Sequence, residues 1–192
     1  MNKILLMILI ISHSVLACDG IELYPDNTFP EVLIKTSMGD ILVELDRNRA
    51  PITVNNFLHY IKSNEYKNTI FHRVEKDFVI QGGGYNAEFQ AISECDKIFN
   101  ESGNGLKNTK GTIAMARYGD PHSATSQFYF NLTDTPSLDP HSNNWGYAVF
   151  GEVIEGMEVL QTISNVKVGY SDVLNSENVP IEAIKIIEIS VN

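Results

Sequence analysis

The chain has 192 residues, 43% of them hydrophobic and 20% charged, which is ordinary for one soluble globular domain with a substantial core. Lys and Arg number 14 against 24 Asp and Glu, a formal charge of -10. The basic surplus that displaces phosphate counterions is therefore missing, and a nucleic-acid partner is not expected.

Residues 1–17 stand apart from the rest. Lys3 gives a short basic start, Ile4 to Ile11 is an unbroken apolar run, and Val15-Leu16-Ala17 ends on the small residue a signal peptidase needs. The run falls short of the roughly 20 apolar residues that span a bilayer. It reads as an export signal, and a periplasmic or secreted location follows. Val15-Leu16-Ala17-Cys18 resembles the bacterial lipobox, which makes Cys18 a candidate for lipidation and membrane anchorage. Cleavage by an ordinary signal peptidase would instead leave Cys18 free to bridge Cys95, the only other cysteine. Residues 18–30, with Pro25 and Pro30, read as a tether reaching at most about 40 Å.

The folded domain is expected over 31–192. Val32–Ser37 and Asp40–Leu45 flank Met38-Gly39 as a hairpin. Pro51 followed by Val54, Phe57, Leu58 and Ile61 at helical spacing predicts an amphipathic helix over about 50–63, its apolar stripe capping a sheet. Strands are expected near 69–74, 78–81, 111–115, 127–132 and 148–153. A short helix opens at Gly156, and a last strand lies within 181–191. Many short strands and two isolated helices suggest a closed antiparallel barrel. Long irregular segments lie at 85–110 and 134–146, where function or mobility is expected.

One stretch, Phe71 to Gly84, carries an arginine in an unusual setting. At period two, Phe71, Arg73 and, after a turn at 75–77, Phe78 and Ile80 alternate with other residues, which sets a guanidinium near aromatic rings on a half-buried sheet. A surface arginine whose stem packs over an aromatic satisfies the same pattern. Gly82-Gly83-Gly84 permits a tight turn or the close approach of another segment.

Several chemistries find no support. His122, Ser123 and Ser126 lie close in sequence, but no third group orients a base and G-x-S-x-G is absent. The histidines show no paired metal spacing, and His59 reads as a surface residue of the first helix. No nucleotide-binding glycine pattern is present. Asn100-Glu101-Ser102 and Asn131-Leu132-Thr133 match the glycosylation sequon, by accident in a chain with a bacterial-looking signal. A reaction without nucleophile, metal or cofactor remains.

Phe-His-Arg-Val at 71–74 with Asp-Phe-Val-Ile-Gln-Gly-Gly at 77–83, Gly-Thr-Ile-Ala-Met-Ala-Arg at 111–117, Ser-Gln-Phe-Tyr-Phe at 126–130 and Gly-Tyr-Ala-Val-Phe-Gly at 146–151 resemble the cyclophilins in order and spacing. The resemblance covers about 30–190. Asn104–Asn108 and Asp120–Thr125 are similar to the bacterial periplasmic branch. It implies an eight-stranded antiparallel β-barrel capped by two helices, with a filled interior and a groove outside. The implied activity is peptidyl-prolyl cis-trans isomerisation of unfolded or flexible proline-containing polypeptides, assisting folding in the cell envelope as a monomer. X-Pro rotation faces a barrier of about 18–20 kcal/mol. Bringing it to milliseconds takes four or five decades, roughly 6 to 7 kcal/mol, which electrostatics can supply.

By resemblance, Arg73 donates to the imide nitrogen as it loses conjugation. Phe78, Val79, Tyr129 and Leu138 line the proline pocket, and Gln81 holds Arg73 and touches the substrate carbonyl. Ala116 and Arg117 pair with the peptide through their backbone, Gln127 contacts it from the side, and Tyr147 falls where many relatives have histidine. Val79 is smaller than the usual methionine, and Tyr129 replaces a phenylalanine, which implies a more polar floor. Ser137 stands where the family often has a tryptophan that helps bind cyclosporin, so weak cyclosporin binding is expected. Trp145 lies in the same loop. Two alternatives stay open: a proline-peptide binding module or holdase with little catalysis, and a barrel enclosing a small ligand, which needs a hollow interior.

Overall fold

A computed structural model describes residues 22–192. The export signal and Cys18 lie outside the described residues. The N-terminal hairpin pairs β1 (Glu31–Thr36) with β2 (Gly39–Leu45). Its turn needs a backbone that glycine adopts freely, with Gly39 at φ 132, and the Thr36 hydroxyl donates to the Gly39 carbonyl at 2.6 Å. Period-two alternation then sends Val32, Ile34, Ile41, Val43 and Leu45 to one face, all fully buried.

The further strands are β3 (Thr69–Glu75), β4 (Val79–Asn86), β5 (Thr112–Met115), β6 (Phe128–Asn131), β7 (Val149–Glu155), β8 (Val168–Ser171), β9 (Ser176–Pro180) and β10 (Ile184–Val191). Eight of them close an antiparallel barrel in the order β1-β10-β3-β4-β6-β5-β7-β2, as expected. β8 and β9 form a separate hairpin that the sequence pattern did not announce. Phe71, Phe128, Phe130, Phe150, Ile80 and Ile113 fill the barrel interior with no exposure, which leaves no chamber for an enclosed ligand.

Helix α1 (Pro51–Lys62) closes one end. Phe57 sits 5.1 to 5.3 Å from the rings of Tyr66, Phe128 and Phe150. Ala50 offers no side-chain cap. The carboxylate of Glu101, in the long 87–111 connection, accepts from the N–H groups of Ile52 and Thr53 at 3.1 and 2.8 Å instead, and it complements the helix dipole. Helix α2 (Met157–Ile163) buries Leu160 and Ile163. Gly39 lies under it, where a Cβ would stand 2.8 Å from Val159 Cγ2.

Residues 22–30 do not hang free as a tether. Arg47, 7% exposed, donates to the carbonyls of Leu23 at 2.6 Å and Asn27 at 3.1 Å and pairs with Glu22 at 3.1 Å. Leu23 is buried, its N–H bonded to Asn55 Oδ1. The 87–111 connection is also anchored: Asn100 Nδ2 donates to the carbonyls of Pro121 and Gly146. Both sequon asparagines, Asn100 and Asn131, are buried and hydrogen-bonded, which fits their reading as accidental. Cys95 is buried, and its N–H is donated to the Tyr60 hydroxyl at 2.7 Å.

Candidate active site

Arg73 reaches the outer surface because β3 is irregular at His72. Phe71 pairs with Gly82 and Arg73 with Gln81, so two residues of β3 answer one of β4. Phe71 therefore points inward, with Phe130 at 6.3 Å and Phe128 at 6.4 Å, and Val74 is again in the core. This corrects the simple alternation: Phe71 and Arg73 lie on opposite faces, and Ile80 belongs to the core. The aromatic ring beside the guanidinium is Phe78, 5.7 Å from Arg73 Cζ. The three glycines continue β4 rather than turning it. Their use is close approach, since a Cβ on Gly84 would meet the Gln127 side chain at 2.7 Å.

A second apolar cluster, distinct from the barrel core, lies beside Arg73. Val79, Ala114, Tyr129 and Val149 form its buried floor, and Phe78, Leu106, Ala116, Leu138 and Tyr147 pack around it half-buried. Tyr129 joins it because alternation along β6 turns Phe128 and Phe130 inward and Tyr129 outward. Leu138 comes from a single 3-10 turn, Pro136–Leu138. Sequence reasoning missed Leu106, Ala114 and Val149, small or aliphatic residues whose membership depends on strand order rather than on any local signal.

The floor is not made more polar by Tyr129. Its hydroxyl donates to Asn108 Oδ1 at 2.7 Å, and Asn108 is itself 2% exposed. Burial, then the neighbouring Tyr147, pushes the phenol well above its usual ionisation range. Asn108 also accepts from Asn131 Nδ2 and donates twice to Asp139 Oδ1, the residue after Leu138. One buried amide thus ties the floor to the wall.

The polar rim is a chain of amides. Arg73 Nη1 donates to Gln81 Oε1 at 3.3 Å, and Gln81 Nε2 donates to Gln127 Oε1 at 2.9 Å. The Ala116 N–H is donated to the Gln127 carbonyl at 2.9 Å, which leaves its carbonyl as the backbone group open to a partner. Arg117 contributes through its side chain, which sequence reasoning did not foresee. Its guanidinium lies 4.6 Å over the Tyr147 ring and donates to the carbonyls of Trp145, Gly146 and Tyr118. Trp145 packs on His122 and Phe99 at 5.0 and 5.8 Å, away from the Tyr129 cluster.

Beneath the rim His72 is 7% exposed and held neutral: burial, and then the charge of Arg73, lower its pKa from 6.5 to about 4. Ser126 is fully buried and cannot act as a nucleophile. Among the described residues no cluster of His, Cys, Asp or Glu could hold a metal ion. Half-buried His59 stays on α1. An apolar surface with the oriented guanidinium groups of Arg73 and Arg117 at its edge suits electrostatic stabilisation of a bound, uncharged group.

Residues 31–191 match the family model for cyclophilin type peptidyl-prolyl cis-trans isomerases. The chain is a cyclophilin. It is 46% identical over 165 residues to a peptidyl-prolyl cis-trans isomerase of Acinetobacter baylyi, covering 86% of each chain. It is 44% identical to peptidyl-prolyl cis-trans isomerase B of Escherichia coli, covering 82% of this chain and 99% of that one. Among solved structures, a Cryptosporidium parvum cyclophilin superposes with a TM-score of 0.70 at 31% identity, covering 85% of this chain and 98% of that one. The same protein in the presence of the dipeptide Ala-Pro gives 0.69 at 30% identity, covering 84% and 98%. As in other cyclophilins, the fold is a closed barrel with two helices, and the family's activity is peptidyl-prolyl cis-trans isomerisation.

Proposed function

We propose that this cyclophilin turns X-Pro bonds in unfolded or flexible chains with Arg73 as its electrophile and the Tyr129 cluster as its proline seat. The observation that carries this is the placement of the Arg73 guanidinium, held by Gln81, at the edge of an apolar surface built from Phe78, Val79, Tyr129 and Leu138. As the imide twists, its nitrogen regains a lone pair and becomes an acceptor. A fixed guanidinium N–H then binds the twisted state more tightly than the planar one, the only kind of binding that speeds the step. The dry seat holds the ring still and strengthens the contact. Gln81 and Gln127 line the approach of the substrate backbone, and the carbonyl of Ala116 with the N–H of Arg117 pairs with it.

The groove is complete within one barrel, which supports action as a monomer. Ser137 lies on the 3-10 turn without an indole, and Trp145 packs elsewhere, so cyclosporin binds weakly. Export to the cell envelope is supported by the sequence of residues 1–17. A chain with two cysteines cannot both bridge Cys95 internally and carry lipid at Cys18. The mass of the mature N-terminal peptide under non-reducing conditions decides between the lipidated and the disulfide-bonded form.

The test is isomerisation of a short X-Pro peptide by the full chain and by Arg73→Ala. A loss of about two decades in kcat/KM, with peptide binding kept, supports the assignment. Equal rates refute it. Two equally slow proteins that still bind the peptide would instead point to a recognition module.

A further inference from the structure

The guanidinium of Arg73 has a second partner. Its Nη2 donates to Glu75 Oε2 at 2.5 Å, while Nη1 is engaged with Gln81, so the two ends of the fork are gripped by a carboxylate and an amide. Both members of the ion pair are partly open to solvent, with side chains 33% and 39% exposed. Glu75 and Arg73 are two apart on β3 and so share its outer face. Glu75 is itself fixed, because it pairs with Val79 across the strands and its carbonyl accepts the Phe78 N–H at 3.1 Å, closing the β3–β4 turn through Asp77 at φ 59. The carboxylate therefore stands at the mouth of the proline seat, between the guanidinium and the turn that carries Phe78.

We propose that Glu75 is a positioning and specificity-determining residue, one that orients Arg73 and turns acidic peptides away from it. The inference rests on the reading of Arg73 as the electrophile. An unpaired guanidinium beside an apolar seat is a ready site for any carboxylate, since the fork matches it in a bidentate way. A substrate with Asp or Glu next to its proline would occupy Arg73 in the ground state, which lowers KM without helping the twist. With Glu75 in place, one edge of the fork is already filled and its charge is largely cancelled. A second anion then meets repulsion, and the remaining N–H groups keep their aim at the imide. The other charges of the turn, Lys76 and Asp77, are exposed and opposite in sign, so they add little to this bias.

The experiment compares the full chain, Glu75→Ala, Glu75→Gln and Arg73→Ala on three peptides that differ only in the residue before proline: Lys, Gln or Glu. The wild type is expected to favour Lys-Pro over Glu-Pro by about threefold to tenfold in kcat/KM at low salt, the scale of one charge acting across several ångström of partly solvated surface. Glu75→Ala loses kcat on all three peptides because Arg73 is no longer oriented. Glu75→Gln, which keeps an acceptor but no charge, recovers most of that loss and abolishes the Lys-over-Glu preference. It also lowers KM for Glu-Pro selectively. A preference unchanged in Glu75→Gln, or a Glu75→Ala enzyme identical to wild type, overturns the proposal. If Arg73→Ala is as active as wild type, it is the reading of Arg73 that fails, whatever the Glu75 variants do.

Discussion

The Tyr129 hydroxyl and the Asn108 side-chain carbonyl meet at 2.7 Å beneath the apolar cluster beside Arg73, both out of reach of solvent. Tyr129→Phe removes the donor and leaves Asn108 Oδ1 with its bond from Asn131. A stability loss of about 1 kcal/mol is expected, or about 2 to 4 °C in Tm for a domain of this size. Tyr66 is also fully desolvated, and its hydroxyl donates to the Ser126 carbonyl at 2.7 Å. Ultraviolet titration of the native protein should therefore show both phenols ionising well after the exposed tyrosines, whose ordinary value is near 10. Ionisation of all tyrosines near pH 10 without unfolding would contradict the buried tie.

Acid should weaken the fold through His72. The unfolded histidine takes a proton below about pH 6.5, whereas the folded one does so only below about 4. Between those values unfolding binds a proton, so stability is complete above about 6.5 and declines as the pH falls toward 4. The full loss is roughly 3 kcal/mol. Urea midpoints measured at pH 7.5, 5.5 and 4.5 should show this decline, and His72→Gln should flatten it. A slope unchanged in that variant would assign the acid sensitivity to other groups.

Arg47 is a buried cation whose side-chain hydrogen bonds among the described residues all run to the strap of residues 22–30. Deleting those residues strips it of partners and should cost about 3 kcal/mol, close to 10 °C in Tm. In the deleted protein Arg47→Ala should be neutral or stabilising, although it is destabilising in the full chain. That double-mutant cycle is read by calorimetry, and additive effects would show that the strap and the arginine are independent.

Much of this architecture could be read from the chain. Pro51 and the Val54, Phe57, Leu58, Ile61 stripe marked α1, and the family resemblance placed Tyr129 with Phe78, Val79 and Leu138, which do cluster with it. What escaped was set by partners distant in sequence. The bulge at His72 reverses the face of Arg73 relative to Phe71, and no residue in β3 announces it, because it arises from the register with β4. Glu101 caps α1 from 48 residues away. The β8–β9 hairpin has exposed and half-exposed residues in nearly every position, so it lacks the buried face that makes a strand legible. The Glu75 contact needed only strand geometry to be foreseen, since residues two apart share a face. The Glu75-Lys76-Asp77 run was read as a turn, and β3 extends through Glu75.

The strap also sets how far this enzyme can work from whatever holds its N-terminus. Docked residues 22–30 move the effective point of departure from Glu31 back to Glu22, which sits by Pro51, Ile52 and Cys95 at the side of α1. Four peptide units separate Glu22 from Cys18, a span of about 14 Å when fully drawn out. An attachment at Cys18 would therefore act as a rivet rather than a leash. The barrel would ride against its support with the α1 side turned toward it, and only chains emerging close to that surface would reach the groove.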